Sequence, residues 1–111
     1  MITEMIFLGR DNENELIIGQ IVDDAETAPD FSGVTRMVLQ FPGSETVVDS
    51  NTTTERINWS ADGHISLRLG DLDIEPSKYM VTLTVYDPLH DDGQVIFHAA
   101  EGRVQFWFIT D

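Results

Sequence analysis

Hydrophobic and polar residues alternate along most of this chain, and the alternation is clearest between Tyr79 and Tyr86. Tyr79, Val81, Leu83 and Val85 fall on one side there, and Met80, Thr82, Thr84 and Tyr86 on the other. A period of two in residues rich in β-branched and aromatic types predicts a half-buried strand. Upstream, Ile65, Leu67 and Leu69 share one face of another strand, joined to the first through the acidic link Gly70–Asp73 and through Pro76-Ser77. The same reading predicts a strand over residues 2–9, with Ile2, Ile6 and Leu8 on one face and Met5 and Phe7 flanking. Further strands are predicted at Leu16–Val22, with Gly19 as a candidate bulge, and at Val34–Phe41, where Pro42-Gly43 stops the run. A weak strand at Thr46–Val48, a short one around Ile57 and Trp59, and one at Val95–Phe97 follow. In the last strand Val104, Phe106 and Phe108 oppose Gln105, Trp107 and Ile109.

The punctuation between these runs is turn chemistry. Ala61-Asp62-Gly63 is an Asp-Gly hairpin signal, and Asp87-Pro88-Leu89-His90-Asp91-Asp92-Gly93 reads as an exposed turn. Ser50–Thr54 is the least patterned stretch, and Phe31 is placed as an apolar plug at the end of the core. No segment carries helical spacing with caps. Short strands at regular intervals with turns between them predict an all-β fold, an antiparallel β-sandwich of about seven to nine strands. The 111 residues form a single domain, 1–111.

Charge and cysteine content narrow the possible partners. Twenty acidic residues face six basic ones, for a net charge of −14, and Lys78 is the only lysine. Such a surface repels phosphate backbones and anionic lipid, which argues against direct nucleic-acid or membrane binding. The absence of cysteine excludes disulfides and thiolate-ligated metals. The first residues lack a basic region and a long apolar run, so the chain is expected to be made and folded in the cytoplasm.

Three short motifs carry a resemblance. Asp30-Phe31-Ser32-Gly33 leads into an alternating strand, Ile74-Glu75-Pro76-Ser77-Lys78-Tyr79 brings a tyrosine to the start of a long one, and Asp92-Gly93 precedes the closing strands. In this order they resemble the small immunoglobulin-like domains of tailed-bacteriophage and prophage structural proteins of the tail, baseplate or fibre adaptor. Ser77 stands where those domains usually carry glycine, Ser50–Glu55 is extra, and the charge is more negative than usual. The resemblance implies an immunoglobulin-like sandwich with a tyrosine corner at Tyr79. It also implies a non-catalytic virion or tail-assembly protein that contacts other virion proteins or itself, present in host cytoplasm during assembly and then in the virion.

Little in the residues points to catalysis. His64, His90 and His98 are scattered over two turns and a strand, without the spacing of a nucleophile and its base. Carboxylates concentrate in loops, and Asp23 and Asp24, Asp71 and Asp73, and Asp91 and Asp92 are candidate oxygen ligands for Ca²⁺ if two loops meet. No cofactor beyond such a cation is expected. Met80, Tyr86, Trp107 and Ile109 are candidate interface residues, because alternation turns them outward on adjacent strands. The competing expectation is that Ile2–Leu8 covers this face. Besides a phage structural module, two further functions fit the sequence. One is an acidic decoy that imitates nucleic acid, and the other is a calcium- or carbohydrate-binding attachment module.

Overall fold

A computed structural model describes residues 1–21, 31–52 and 55–110. Among them the chain forms ten strands. These are Ile2–Leu8 (β1), Asn14–Ile17 (β2), Arg36–Gln40 (β3), Val47–Asp49 (β4), Ile57–Trp59 (β5), His64–Leu67 (β6), Lys78–Met80 (β7), Thr82–Asp87 (β8), His90–Phe97 (β9) and Val104–Thr110 (β10). The strands build three sheets, in the orders β1-β10-β7, β2-β6-β5 and β4-β3-β8-β9. The all-β class and the antiparallel pairing expected from alternation are present. The strand count exceeds the expected seven to nine, and the sheets number three.

The third sheet arises at Val81. β7 and β8 continue one run of alternation, but β7 pairs with β10 while β8 pairs with β3 and β9. At the changeover the Val81 amide donates to the Val104 carbonyl at 3.1 Å. β9 and β10 diverge there around a 3-10 turn, Ala99–Glu101, capped by His98 and closed by Gly102 in the left-handed conformation. One pairing departs from the antiparallel expectation: β1 runs parallel to β10, in the register Ile2↔Val104 through Leu8↔Thr110.

Residues from all three sheets share one core, including Ile6, Leu16, Leu39, Ile65, Leu83 and Phe106. Phe41, Tyr79, Phe106 and Phe108 meet within it at ring-centroid distances of 5.5–6.4 Å, largely edge to face, the arrangement that ring quadrupoles favour. Tyr79 keeps its polar end satisfied, donating from Oη to the Glu75 carbonyl at 2.8 Å. Among the described residues two polar side chains are buried and each is used. Ser50 Oγ accepts from the Met37 amide at 3.0 Å, and Thr82 Oγ1 accepts from the Ala99 amide at 2.9 Å. Phe31 is buried in the core, as its plug position implies.

Two local expectations are corrected. The second strand ends at Ile17, and Ile18–Ile21 turns into a single helical turn (α1). Ile18 and Ile21 are both buried, and positions three apart share a helix face, whereas a strand would turn them to opposite sides. The turn after β8 is also shorter than the sequence implied, because His90 already begins β9. Gly93 therefore lies within that strand. A Cβ on it would meet Thr84 Cγ2 at 2.7 Å and Tyr86 Cε1 at 2.8 Å, so only glycine fits under the tyrosine ring.

Candidate interaction face

The outward side of the β1-β10-β7 sheet carries exposed apolar side chains in a strongly acidic chain. Its inward positions, Ile6, Val104, Phe106, Phe108 and Tyr79, are buried. The alternate positions carry Thr3, Met5 and Phe7 on β1, Gln105, Trp107 and Ile109 on β10, and Lys78 and Met80 on β7. Parallel register sets Met5 beside Trp107 and Phe7 beside Ile109. Met5 remains 43% exposed, Phe7 39% and Trp107 36%, an apolar group that crosses two neighbouring strands. No carboxylate stands at any of these outward positions, although the chain carries twenty. Their one charged group is the Lys78 ammonium, which sits 4.5 Å from the Trp107 ring centroid. A cation on an aromatic face is held by the ring quadrupole.

Of the four interface residues expected from the sequence, Met80, Trp107 and Ile109 come together on this sheet. Tyr86 does not. It lies on β8 in the β4-β3-β8-β9 sheet, with the Arg36 guanidinium 4.7 Å above its ring. Arg36 also binds the Asp49 carboxylate through Nε at 3.0 Å and through a second guanidinium nitrogen. That bond holds Asp49 below the usual carboxylate range and raises Arg36, and it anchors the guanidinium that lies over the Tyr86 ring. β1 does not cover the face. It lies beside β10 in the same sheet and adds Met5 and Phe7 to the apolar surface. The sign of this in the sequence was the outward alternation of Met5 and Phe7 against Ile6 and Leu8.

The free edge of β1 is partly closed by side chains. Asn12 Oδ1 accepts from the Phe7 amide at 3.0 Å, and Asn12 Nδ2 donates to the Phe7 carbonyl at 2.8 Å. One carboxamide thus occupies both backbone groups that would otherwise invite another strand. Asn14 Nδ2 adds a longer bond to the Met5 carbonyl.

The candidate cation ligands have other surroundings. Both Asp71 oxygens lie 3.2–3.3 Å from Arg56. The Asp73 carbonyl accepts from Thr46 Oγ1 at 2.9 Å, and Asp91 and Asp92 are exposed on β9. Asp23 and Asp24 lie outside the described residues. Among the described residues no three carboxylate or imidazole groups gather into a metal site. Arg10, Arg56 and Arg68, half of the six basic side chains, line an open cleft of about 600 Å³ between the β1–β2 loop and Gly70-Asp71. There Arg56 pairs with Asp71 and Arg68 with Glu13, so the cleft is a charge clamp between loops.

The histidines make local bonds. His64 Nδ1 lies 2.9 Å from Glu15, and His90 Nδ1 lies 2.9 Å from Asp87 Oδ1. His98 Nδ1 accepts from the Ala100 amide at 3.0 Å while the Glu101 carboxylate accepts from the His98 amide at 2.8 Å. His98, the histidine expected on a strand, thus caps the 3-10 turn instead.

No protein-family model matches the chain, and neither a curated protein nor a solved structure matches it.

Proposed function

We propose that this chain is an immunoglobulin-like β-sandwich module of a tailed-bacteriophage or prophage particle. In this reading it acts by protein–protein contact and performs no catalysis. The observation that carries the contact reading is the outward face of Met5, Phe7, Trp107, Met80 and Ile109, free of carboxylates in a chain of net charge −14. An apolar centre depleted of charge is what distinguishes the core of an interface from ordinary surface.

The strand order supports the immunoglobulin-like part. In this reading one layer is the β5-β6-β2 sheet, and the other joins the β1-β10-β7 and β4-β3-β8-β9 sheets through the shared Lys78–Asp87 run. That corresponds to the division between an ABED sheet and a CFG sheet, with the first strand carried over to lie along the last. The bond from Tyr79 Oη to the carbonyl four residues upstream is the geometry of a tyrosine corner. The phage assignment draws on the sequence resemblance in its three motifs, and with it come the host cytoplasm and the virion as places of action.

The test is a photo-crosslinking amino acid at Phe7, beside Ile109, in producing cells, with the same group at Val47 on β4 as control. The expected result is a covalent adduct from position 7 to a protein component of purified particles, without one from position 47. A chain that never co-purifies with particles refutes the virion assignment. Equal labelling from both positions refutes the face.

A further inference from the structure

We infer that His98 is a proton-sensitive clasp on the Ala99–Glu101 turn, closing it while the imidazole is neutral and releasing it when the ring gains a proton. The inference is independent of the contact reading above and rests on the polarity of one hydrogen bond. His98 Nδ1 accepts from the Ala100 amide at 3.0 Å. A backbone amide nitrogen only donates, so Nδ1 presents its lone pair and the ring proton sits on Nε2. A charged ring carries N–H at both nitrogens, and two donors then face each other.

The other two histidines have the opposite polarity. His64 Nδ1 lies against the Glu15 carboxylate and His90 Nδ1 against that of Asp87, each at 2.9 Å. A proton gained by either ring turns its bond into an ion pair. Histidine is the side chain that changes charge between about pH 5 and 8. Acidification therefore tightens the contacts of His64 and His90 and opens the one at His98.

The carboxylate to which a charged His98 turns belongs to the same clasp. Glu101 Oε1 accepts from the His98 amide at 2.8 Å, which completes a reciprocal cap. Its other oxygen accepts from Arg103 Nε at 3.1 Å. Those bonds, the His98 amide first and Arg103 second, hold Glu101 below the usual carboxylate range, so it is still ionised when imidazoles protonate. Drawn to the charged ring, it leaves the His98 amide, and both halves of the cap are lost together. The other neighbours of the turn are neutral. Thr82 Oγ1 of β8 accepts from the Ala99 amide at 2.9 Å, the Ile21 carbonyl of α1 accepts from Arg103 at 2.9 Å, and the Met80 methyl of β7 lies beside Gly102.

The clasp sits where the chain passes between two sheets. β9 ends at Phe97 in the β4-β3-β8-β9 sheet, and β10 begins at Val104 in the β1-β10-β7 sheet. With the cap released this turn opens locally while the strands on either side stay paired.

NMR on the full chain at about pH 8 and about pH 5 tests this across the imidazole range. At the higher pH the imidazole ¹⁵N shifts are expected to show the proton on Nε2 and a bare Nδ1. Exchange protection of the Ala100 amide, corrected for the intrinsic rate, is expected to fall about fivefold or more at the lower pH. The His98 amide is expected to fall with it, while that of Leu39 in β3 stays unchanged. His98→Asn places a neutral acceptor at the cap and is expected to keep Ala100 equally protected at both pH values. A proton on Nδ1 at the higher pH overturns the inference, as does Ala100 protection that holds on acidification. A loss that persists in His98→Asn also overturns it, since another group would then be the sensor. So does an equal loss at Leu39, which would mark unfolding of the whole chain.

Discussion

Replacing Gly70 by alanine tests whether the β1–β2 loop is locked to the rest of the molecule as the structure implies. A Cβ at Gly70 would sit 1.9 Å from the Arg10 carbonyl oxygen and 2.6 Å from Asn12 Nδ2. Ordinary contact begins at 3.4 Å, so a backbone atom must retreat by about 1.5 Å. That movement pulls on the Gly9 amide bond to the Gly70 carbonyl, at 2.7 Å, and on the two bonds from Asn12 to Phe7. Three hydrogen bonds at about 1 kcal/mol each place the cost at roughly 2–4 kcal/mol, with the upper end reached if the loop detaches. The matched control is Gly19→Ala in α1, where nothing lies within 4 Å of the added Cβ. There the gain in helix propensity is expected to be neutral or to stabilise by up to about 1 kcal/mol. Urea unfolding followed by tryptophan fluorescence reads both variants, with the slope checked to be unchanged. A Gly70→Ala protein within about 0.5 kcal/mol of the parent would show that the loop moves freely and that the Asn12 latch is not a fixed part of the fold.

Further perturbations probe the core, the edge and the ionisable groups. Tyr79→Phe removes the bond to the Glu75 carbonyl but keeps the ring among Phe41 and Phe108. It is expected to cost about 1 kcal/mol and lower Tm by about 4 °C, against about 3–5 kcal/mol for Tyr79→Ala, as calorimetry will show. Asn12→Ala frees the backbone of Phe7, and hydrogen exchange at that amide is expected to quicken at least tenfold while amides of β3 stay unchanged. Glu4 has its pKa raised by burial, so its ionised form opposes folding once pH passes the folded pKa. Glu4→Gln is therefore expected to stabilise at neutral pH, within about 0.5 kcal/mol, and to give nothing below about pH 4, where the parent carboxyl is protonated in both states. Asp49 has the opposite sign. Its pKa is lowered chiefly by the Arg36 hydrogen bond, so its contribution is present above the unfolded carboxylate range and lost as pH falls through the folded value. Arg36→Met is expected to abolish that acid dependence, as unfolding midpoints across pH will show.

Which face of a strand is buried could be read from the residues alone, because side chains on a pleated strand alternate strictly. Tyr79, Val81, Leu83 and Val85 are all buried as their spacing implies, and so are Val104, Phe106 and Phe108. The hairpin at Asp62-Gly63 was legible for a similarly local reason. Gly63 adopts a positive φ that few other residues tolerate, and Trp59 then pairs with Ile65 across the turn. The helical turn at Ile18–Ile21 was not legible, since a short apolar run fits strand or helix equally and only its packing into the core decides. Tyr86 and Trp107 look alike in the alternation, yet Tyr86 is stacked beneath Arg36 and Trp107 is exposed. Period fixes a side, not a neighbour. The candidate face depended on what no local pattern contains, the placing of β1 beside a strand that follows it by about a hundred residues (102 from Thr3 to Gln105). Such pairing is decided by the burial of Ile6, Val104, Phe106 and Phe108 in one shared core, a global packing condition that leaves Met5, Phe7 and Trp107 side by side on the outside.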